Sequence, residues 1–203
     1  MRTVALPETD LPAKLTLHPE RRMSTDEFFD FCVANPNVRF ELTSQGEIII
    51  VPPSGGESSA QNLSAAAQLY FWAMQSGRGK AFDSSGGFVL ASGAVYAPDA
   101  AWVSKAAIER LPKAGREKFL TLAPEFVIEV MSPSDRLSAM KAKMREWLDN
   151  GVQLGWLIDG AARTVYVFRP GAEPEVKTRI RKLAGDGPVK GFVLDLTDIW
   201  AGL

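Results

Sequence analysis

One histidine and one cysteine stand among 203 residues, and their scarcity removes whole classes of chemistry. Cys32 alone cannot close an intramolecular disulfide, and Cys32 with His18 cannot supply the four ligands of a structural zinc site. Ser-His-Asp or Cys-His catalysis would rest on His18, which lies in a proline-bearing N-terminal stretch, so neither is expected. An excess of one charge sign is also missing. The 23 basic and 24 acidic residues leave a net charge of -1, unlike proteins that coat nucleic acid non-specifically. No apolar run approaches the roughly 20 residues needed to span a bilayer. The opening MRTVALPETDLPAKL also lacks the uninterrupted apolar segment of a signal peptide, so a cytoplasmic chain without membrane contact is expected. What is present is 46% hydrophobic residues, enough for one domain with a real core. Its chemistry falls to carboxylates and lysines.

Pro7, Pro12 and Pro19 among scattered charges mark residues 1–22 as an N-terminal arm, on the surface or disordered, ahead of a single domain over 23–203. Ser24-Thr25-Asp26-Glu27 offers a capping box for a short helix that ends near Asn35-Pro36. Val38 to Leu42 and Glu47 to Val51 form a hairpin around Ser44-Gln45-Gly46, placing Glu41 on its first strand. From Glu57 to about Ser76, Leu63, Ala66, Ala67, Tyr70 and Met74 have helical spacing, and the small residues beside them suit close packing on a sheet. Strand candidates follow at Lys80–Ser84, Gly87–Leu90 and Val95–Val103, where Pro98 belongs at a strand start, an edge or a bulge. The run Pro124 to Met131 reads as a strand buried on both faces. Ser132-Pro133-Ser134-Asp135 then breaks it and caps a helix to about Asn150. Asp159-Gly160 joins two further strands; another is expected around Glu175–Leu183, and a short element over Phe192–Trp200 closes the chain.

Glu129 interrupts the buried run. A charged carboxylate there must be paired, hydrogen-bonded or metal-bound, and an arginine in a polar seam would satisfy it as well as a cation site would. Asp99, after Pro98, taken alone is an ordinary turn residue. Together and in this order they outline the carboxylate pair of a metal-dependent phosphodiesterase, since two acids from adjacent strands can hold Mg²⁺ without histidine or cysteine. The usual lysine two residues after the second acid is replaced by Met131. On the next helix, Lys141 and Lys143 border the apolar stripe on opposite sides, and at 100° per residue the periodicity does not choose between them.

Five stretches in order, RFELTSQGEIIIVPPSGGES, SSGGFVLASGAVYAPDAAWVS, PEFVIEVMSPSD, KMREWLDNGVQLGWLID and GFVLDLTDIW, resemble the putative restriction endonuclease family of the PD-(D/E)XK nuclease superfamily. The resemblance implies an α/β (α+β) fold with a restriction-endonuclease-like core, a mixed central β-sheet flanked by helices. It implies a Glu on the first hairpin, a Pro-Asp, a Glu before Ser-Pro, and a lysine four residues before an aromatic and eight before a glycine. These positions are Glu41, Asp99, Glu129 and Lys143, with Trp147 and Gly151 in the aromatic and glycine places. Tyr96 stands where many relatives carry arginine and Ser58 where some carry histidine, departures that touch substrate contacts rather than metal ligands.

The activity so implied is a Mg²⁺-dependent endonuclease, with Mn²⁺ as a substitute, hydrolysing nucleic acid, DNA foremost, to 5′-phosphate products. Asp99, Glu129 and the Val130 carbonyl would bind metal, with Glu41 beside them and Lys143 acting on the water or the phosphate. The competing reading is a silent nuclease fold that binds nucleic acid or a partner; hydrolysis of another phosphodiester is a third. Lys177, Arg179 and Arg181 would share one strand face and could follow phosphates, although a solvated edge strand protected by its charges is the reading that the residues favour. Cutting two strands with two sites would suit a homodimer. The five tryptophans read as core or interface residues.

Overall fold

The computed structural model describes residues 15–203. The expected arm falls partly outside them, and its described end contributes β1 (Thr16–Leu17), which pairs with the later hairpin. Ser24 accepts from the Glu27 N–H at 3.2 Å and its own N–H donates to the Glu27 carboxylate at 2.8 Å, so the capping box opens α1 (Thr25–Ala34). The hairpin forms as β2 (Arg39–Leu42) and β3 (Ile48–Val51), turning at Gly46, whose φ of 87° suits glycine.

The long helix α2 (Gly56–Ser76) buries Ser58, Gln61, Ala65, Leu69 and Ala73. The stripe read from the sequence lies on the opposite side: Leu63, Tyr70 and Met74 are exposed. Of the small residues expected to meet the sheet, Ser58 and Ala65 are buried, together with Gln61, Leu69 and Ala73, while Ser59 and Ala60 are exposed. The segment predicted as one strand around Pro98 is two: β5 (Phe88–Val89) pairs with β6 (Val95–Tyr96), while β7 (Ala100–Ser104) pairs with β4 (Gly79–Asp83) in another sheet. Ala97-Pro98-Asp99 is the crossing between them.

After the short helix α3 (Lys105–Arg110) comes β8 (Phe126–Val130), buried at all five positions as its sequence dictates. Its connection to β9 (Leu154–Asp159) is parallel, which requires a crossover, and α4 (Leu137–Asp149) provides it. Asp135 does not cap α4; its carboxylate accepts from the Ser132 N–H and hydroxyl, closing the loop instead. A hairpin leads to β10 (Thr164–Phe168) and then β11 (Glu175–Thr178). The strand expected over Glu175–Leu183 breaks at Arg179, whose φ is 52°. β12 (Lys182–Ala184) starts a separate ribbon with β13 (Val193–Asp195), and α5 (Thr197–Ala201) follows.

The central sheet runs β11-β10-β9-β8-β7-β4 and is mixed, only β8 and β9 being parallel; a five-stranded sheet, β1-β3-β2-β6-β5, lies apart from it. Alternation along β8 sends Ile128 and Val130 into the core under α2, the β12–β13 ribbon and α5. Val127 packs on the other face with Met140, Met144 and Trp147 of α4. Each large side chain so buried contributes about 1.5–3 kcal/mol. The expected mixed sheet flanked by helices is present. No helix among the described residues is long and apolar enough to cross a membrane.

Candidate active site

The same alternation places Glu129 on the α4 face, at the end of β8. Ala100 lies opposite Ile128 in the antiparallel β7–β8 pair, so one step further sets Asp99 beside Glu129. The Val130 N–H donates to Asp99 Oδ2 at 2.8 Å and locks that carboxylate against β8. From α4, Lys143 Nζ reaches Glu129 Oε1 at 3.1 Å and donates to Glu41 Oε1 at 2.9 Å. Trp147 Nε1 donates to the same Glu129 oxygen at 3.0 Å. This gives the four-residue lysine–aromatic spacing its reason: residues i and i+4 share a helix face, and both serve one buried oxygen. Among the described residues the cation that meets Glu129 is Lys143 rather than an arginine.

Lys141, on the other border of α4, lies 4.4 Å over the Tyr166 ring and plays no part in the cluster. Glu41, Asp99, Glu129 and Lys143 therefore converge from β2, the start of β7, β8 and α4. Met131 packs in the apolar cluster around α4, which is consistent with lysine being supplied from the helix.

The site is short of positive charge. Glu41 and Glu129 are 7% and 4% exposed, and the Lys143 side chain 21%. Burial pushes the Glu129 carboxyl up, against the pull of the Lys143 ammonium. Burial likewise raises Asp99, opposed by its bond from the Val130 amide. For Lys143 burial acts downward, but Glu129 and then Glu41 more than reverse it, so the ammonium is held charged. The surrounding cleft, about 620 Å³, is lined by five carboxylates, Glu41, Asp99, Glu129, Asp135 and Glu146, against two basic groups, Arg39 and Lys143.

Two participants, Asn62 and Arg39, escaped the sequence reading. Asn62 of α2 donates to Asp99 Oδ1 at 2.7 Å, and its own Oδ1 is buried without a protein partner among the described residues. Arg39 lines the mouth of the cleft one turn of strand from Glu41. Tyr96, in the place of the relatives' arginine, is buried and donates to Glu146 Oε2 at 2.8 Å. Trp147, which the resemblance placed at the aromatic position, turns its indole N–H to Glu129. Ser58 also lines the cleft.

Lys177, Arg179 and Arg181 are not gathered here. The turn at Arg179 breaks the alternation that would have aligned them, Lys177 is ion-paired with Glu175, and none lines the cleft. Among the described residues no group of three or more His, Cys, Asp or Glu is arranged to hold a metal by itself. Mg²⁺ asks for less, since one or two carboxylates with water and substrate phosphate suffice. Asp99 and Glu129, side by side at adjacent strand ends and offering only oxygen, fit that demand.

Two acids at adjacent strand ends and a lysine from the crossover helix thus meet on one mixed sheet of restriction-endonuclease-like fold. The model of the family described as "Putative restriction endonuclease" matches residues 25–197, and the chain belongs to that family. A solved structure of similar fold is a putative nuclease of the DUF820 group from Anabaena variabilis, with a TM-score of 0.71 and 23% identity. The alignment covers 88% of this chain and 98% of that one. No curated protein matches the chain.

Proposed function

We propose that the chain is a Mg²⁺-dependent endonuclease that hydrolyses phosphodiester bonds of nucleic acid, DNA foremost, and leaves 5′-phosphate ends. The observation that carries this reading is the convergence of Asp99, Glu129 and Lys143 at the floor of one acidic cleft. Asp99, Glu129 and the carbonyl of Val130 would hold the metal, with Mn²⁺ able to substitute. Bound there, the ion supplies Lewis-acid polarisation of the phosphoryl oxygen and acidifies water, effects worth several kcal/mol.

The protein's own groups do the rest. Lys143 Nζ, held by Glu41 and Glu129, presents an ammonium that can orient the attacking water or stabilise charge on the phosphate. Glu41 acts here as the anchor of Lys143 rather than as a free ligand, since its Oε1 also accepts from the Ala97 N–H at 3.4 Å. Asn62 and the Val130 amide fix both oxygens of Asp99. Arg39 at the rim is placed to meet a substrate phosphate, a contact that a cleft otherwise rich in carboxylates needs. Lys177, Arg179 and Arg181 could add weak backbone contacts only outside the cleft.

Incubating the protein with supercoiled plasmid, single-stranded DNA and RNA, each with Mg²⁺, Mn²⁺ or EDTA, tests the reading. Cleavage with Mg²⁺, abolished by EDTA and by Asp99→Ala or Glu129→Ala in folded protein, is expected. Metal-dependent cleavage that survives either substitution would refute the assignment. Tight binding without cleavage would favour the silent module.

A further inference from the structure

We infer that the N-terminal end of α2 is a phosphate subsite of the cleft, one that holds the phosphate next to the scissile one. At 100° per residue Gly55, Ser58 and Asn62 fall on one side of this end of the helix, and all three line the cleft, as do Pro52, Pro53 and Ser54 on the approach to it. Gly55 is the N-cap and has no side-chain acceptor to offer, so the first-turn N–H groups of α2 are left without a side-chain cap. Nothing steric imposes glycine there: φ is -63° and ψ is 161°, and a Cβ would meet nothing within 4 Å. Asp, Asn or Ser would fit and would cap the helix better. Ser58 is the second, independent observation. The residue is 4% exposed and lines the cleft, yet its hydroxyl makes no hydrogen bond to the described residues. A buried polar group without a partner inside the protein calls for one from outside it.

The donors select the ligand. Uncapped N–H groups, a free hydroxyl and a helix N-terminus equivalent to about half a positive charge together suit an anion with several oxygens. The acid of the first turn does not compete for them, because Glu57 lies against Gly202 and is not part of the cleft wall. Position then selects which phosphate. Asn62 holds Asp99, and Ser58 lies one helical turn, about 6 Å, nearer the N-terminus. That is the scale of one nucleotide step along a strand. With the scissile phosphate at Asp99 and Glu129, its neighbour reaches Ser58 and the first-turn amides. The identity of the anion as a substrate phosphate rests on the reading of the cleft as a nuclease site, whereas the donor set at the end of α2 does not.

Two measurements on the full chain test this. In the first, inorganic phosphate is titrated into metal-free, ¹⁵N-labelled protein at constant ionic strength, with chloride as the control. The amide resonances of Gly56, Glu57 and Ser58 are expected to shift and saturate in the millimolar range. Ser58→Ala should weaken that binding about tenfold. Gly55→Asp should abolish it while raising the melting temperature slightly, since the new carboxylate caps α2 and occupies the place of the anion. A purely structural role for this end of the helix would not give higher stability together with lost binding. Ser59→Ala, exposed and outside the cleft, should match wild type. In the second measurement, plasmid cleavage in Mg²⁺, Ser58→Ala and Gly55→Asp should each raise KM about tenfold with kcat within about twofold. The inference is overturned if phosphate leaves these amides unmoved, if the shifts survive both Ser58→Ala and Gly55→Asp, or if a cleaving enzyme keeps its KM in both variants. Saturable phosphate shifts in a protein that cuts no nucleic acid would support the anion site and refute the nuclease reading; cleavage without them would refute the anion site alone.

Discussion

On one border of α4, Lys143 lies between two buried carboxylates, 2.9 Å from Glu41 and 3.1 Å from Glu129. Two residues earlier, on the other border, Lys141 sits 4.4 Å over the Tyr166 ring. Residue type, helix and distance from the apolar stripe are the same, yet what each faces is not. Strand alternation turns Glu129 toward the border that carries Lys143, whereas the opposite border meets an aromatic that needs no charge. What each lysine meets is set by what its neighbouring strand presents, and a single residue of parity in β8 decides it.

Substituting methionine at each position should expose the difference most sharply. Lys143→Met leaves Glu41 and Glu129 buried without a cation, and metal-free protein is expected to lose about 3 kcal/mol of stability. Lys141→Met forfeits a half-buried cation–π contact worth about 1 kcal/mol. Denaturant titrations of the two variants give the comparison, and adding Glu41→Gln and Glu129→Gln to Lys143→Met should restore most of the loss. Equal effects at 141 and 143 would break the contrast.

The next effect is one of pH. Burial, outweighing the attraction of Lys143, raises the Glu129 carboxyl from its ordinary 4.5 to about 7. A group that binds its proton more tightly when folded adds stability at low pH and loses that contribution as pH rises through its folded value. Metal-free wild type should therefore fall relative to Glu129→Gln by up to about 1 kcal/mol per pH unit as pH rises from 4.5 toward 7. Melting curves across that range measure it, and parallel curves for the two proteins would refute it. Added Mg²⁺ should stabilise wild type most at the upper end, where the ligands are ionised.

Smaller again is the expected effect of Asn62→Ala. Losing one of the two bonds that fix Asp99 should lower kcat about tenfold with KM little changed, whereas Arg39→Ala should raise KM and flatten its salt dependence. Smallest is Arg179→Ala with Arg181→Ala. These side chains are exposed and outside the cleft, so cleavage should change less than about twofold at moderate salt. A large loss would return the basic segment to the substrate path.

Much of this was legible in the chain. The β-branched run Phe126–Val130 could only be a doubly buried strand, and a carboxylate inside it had to be explained, which exposed Glu129 before any contact was known. Ser24 and Glu27 announced α1 by local chemistry alone. The failures share a cause: periodicity shows which residues lie together without showing which side is covered. The spacing of Leu63, Tyr70 and Met74 marked α2 as a helix without showing that the opposite side, with Ala65, Leu69 and Ala73, would meet the sheet. Lys177, Arg179 and Arg181 alternate in sequence, but the left-handed backbone at Arg179 ends the strand. Asn62 could not be recognised as a partner of Asp99 because 37 residues separate them and only the fold joins them.

The central claim is that Lys143, and not its neighbour on the same helix, completes a phosphodiester-cleaving site with Asp99 and Glu129. Its most direct test is the rate of supercoiled plasmid cleavage in Mg²⁺ by wild type, Lys143→Ala and Lys141→Ala, each shown to be folded. The expected result is cleavage by wild type, within about twofold for Lys141→Ala and at least about a hundredfold slower for Lys143→Ala. Lys143→Ala cleaving as fast as wild type would contradict the account.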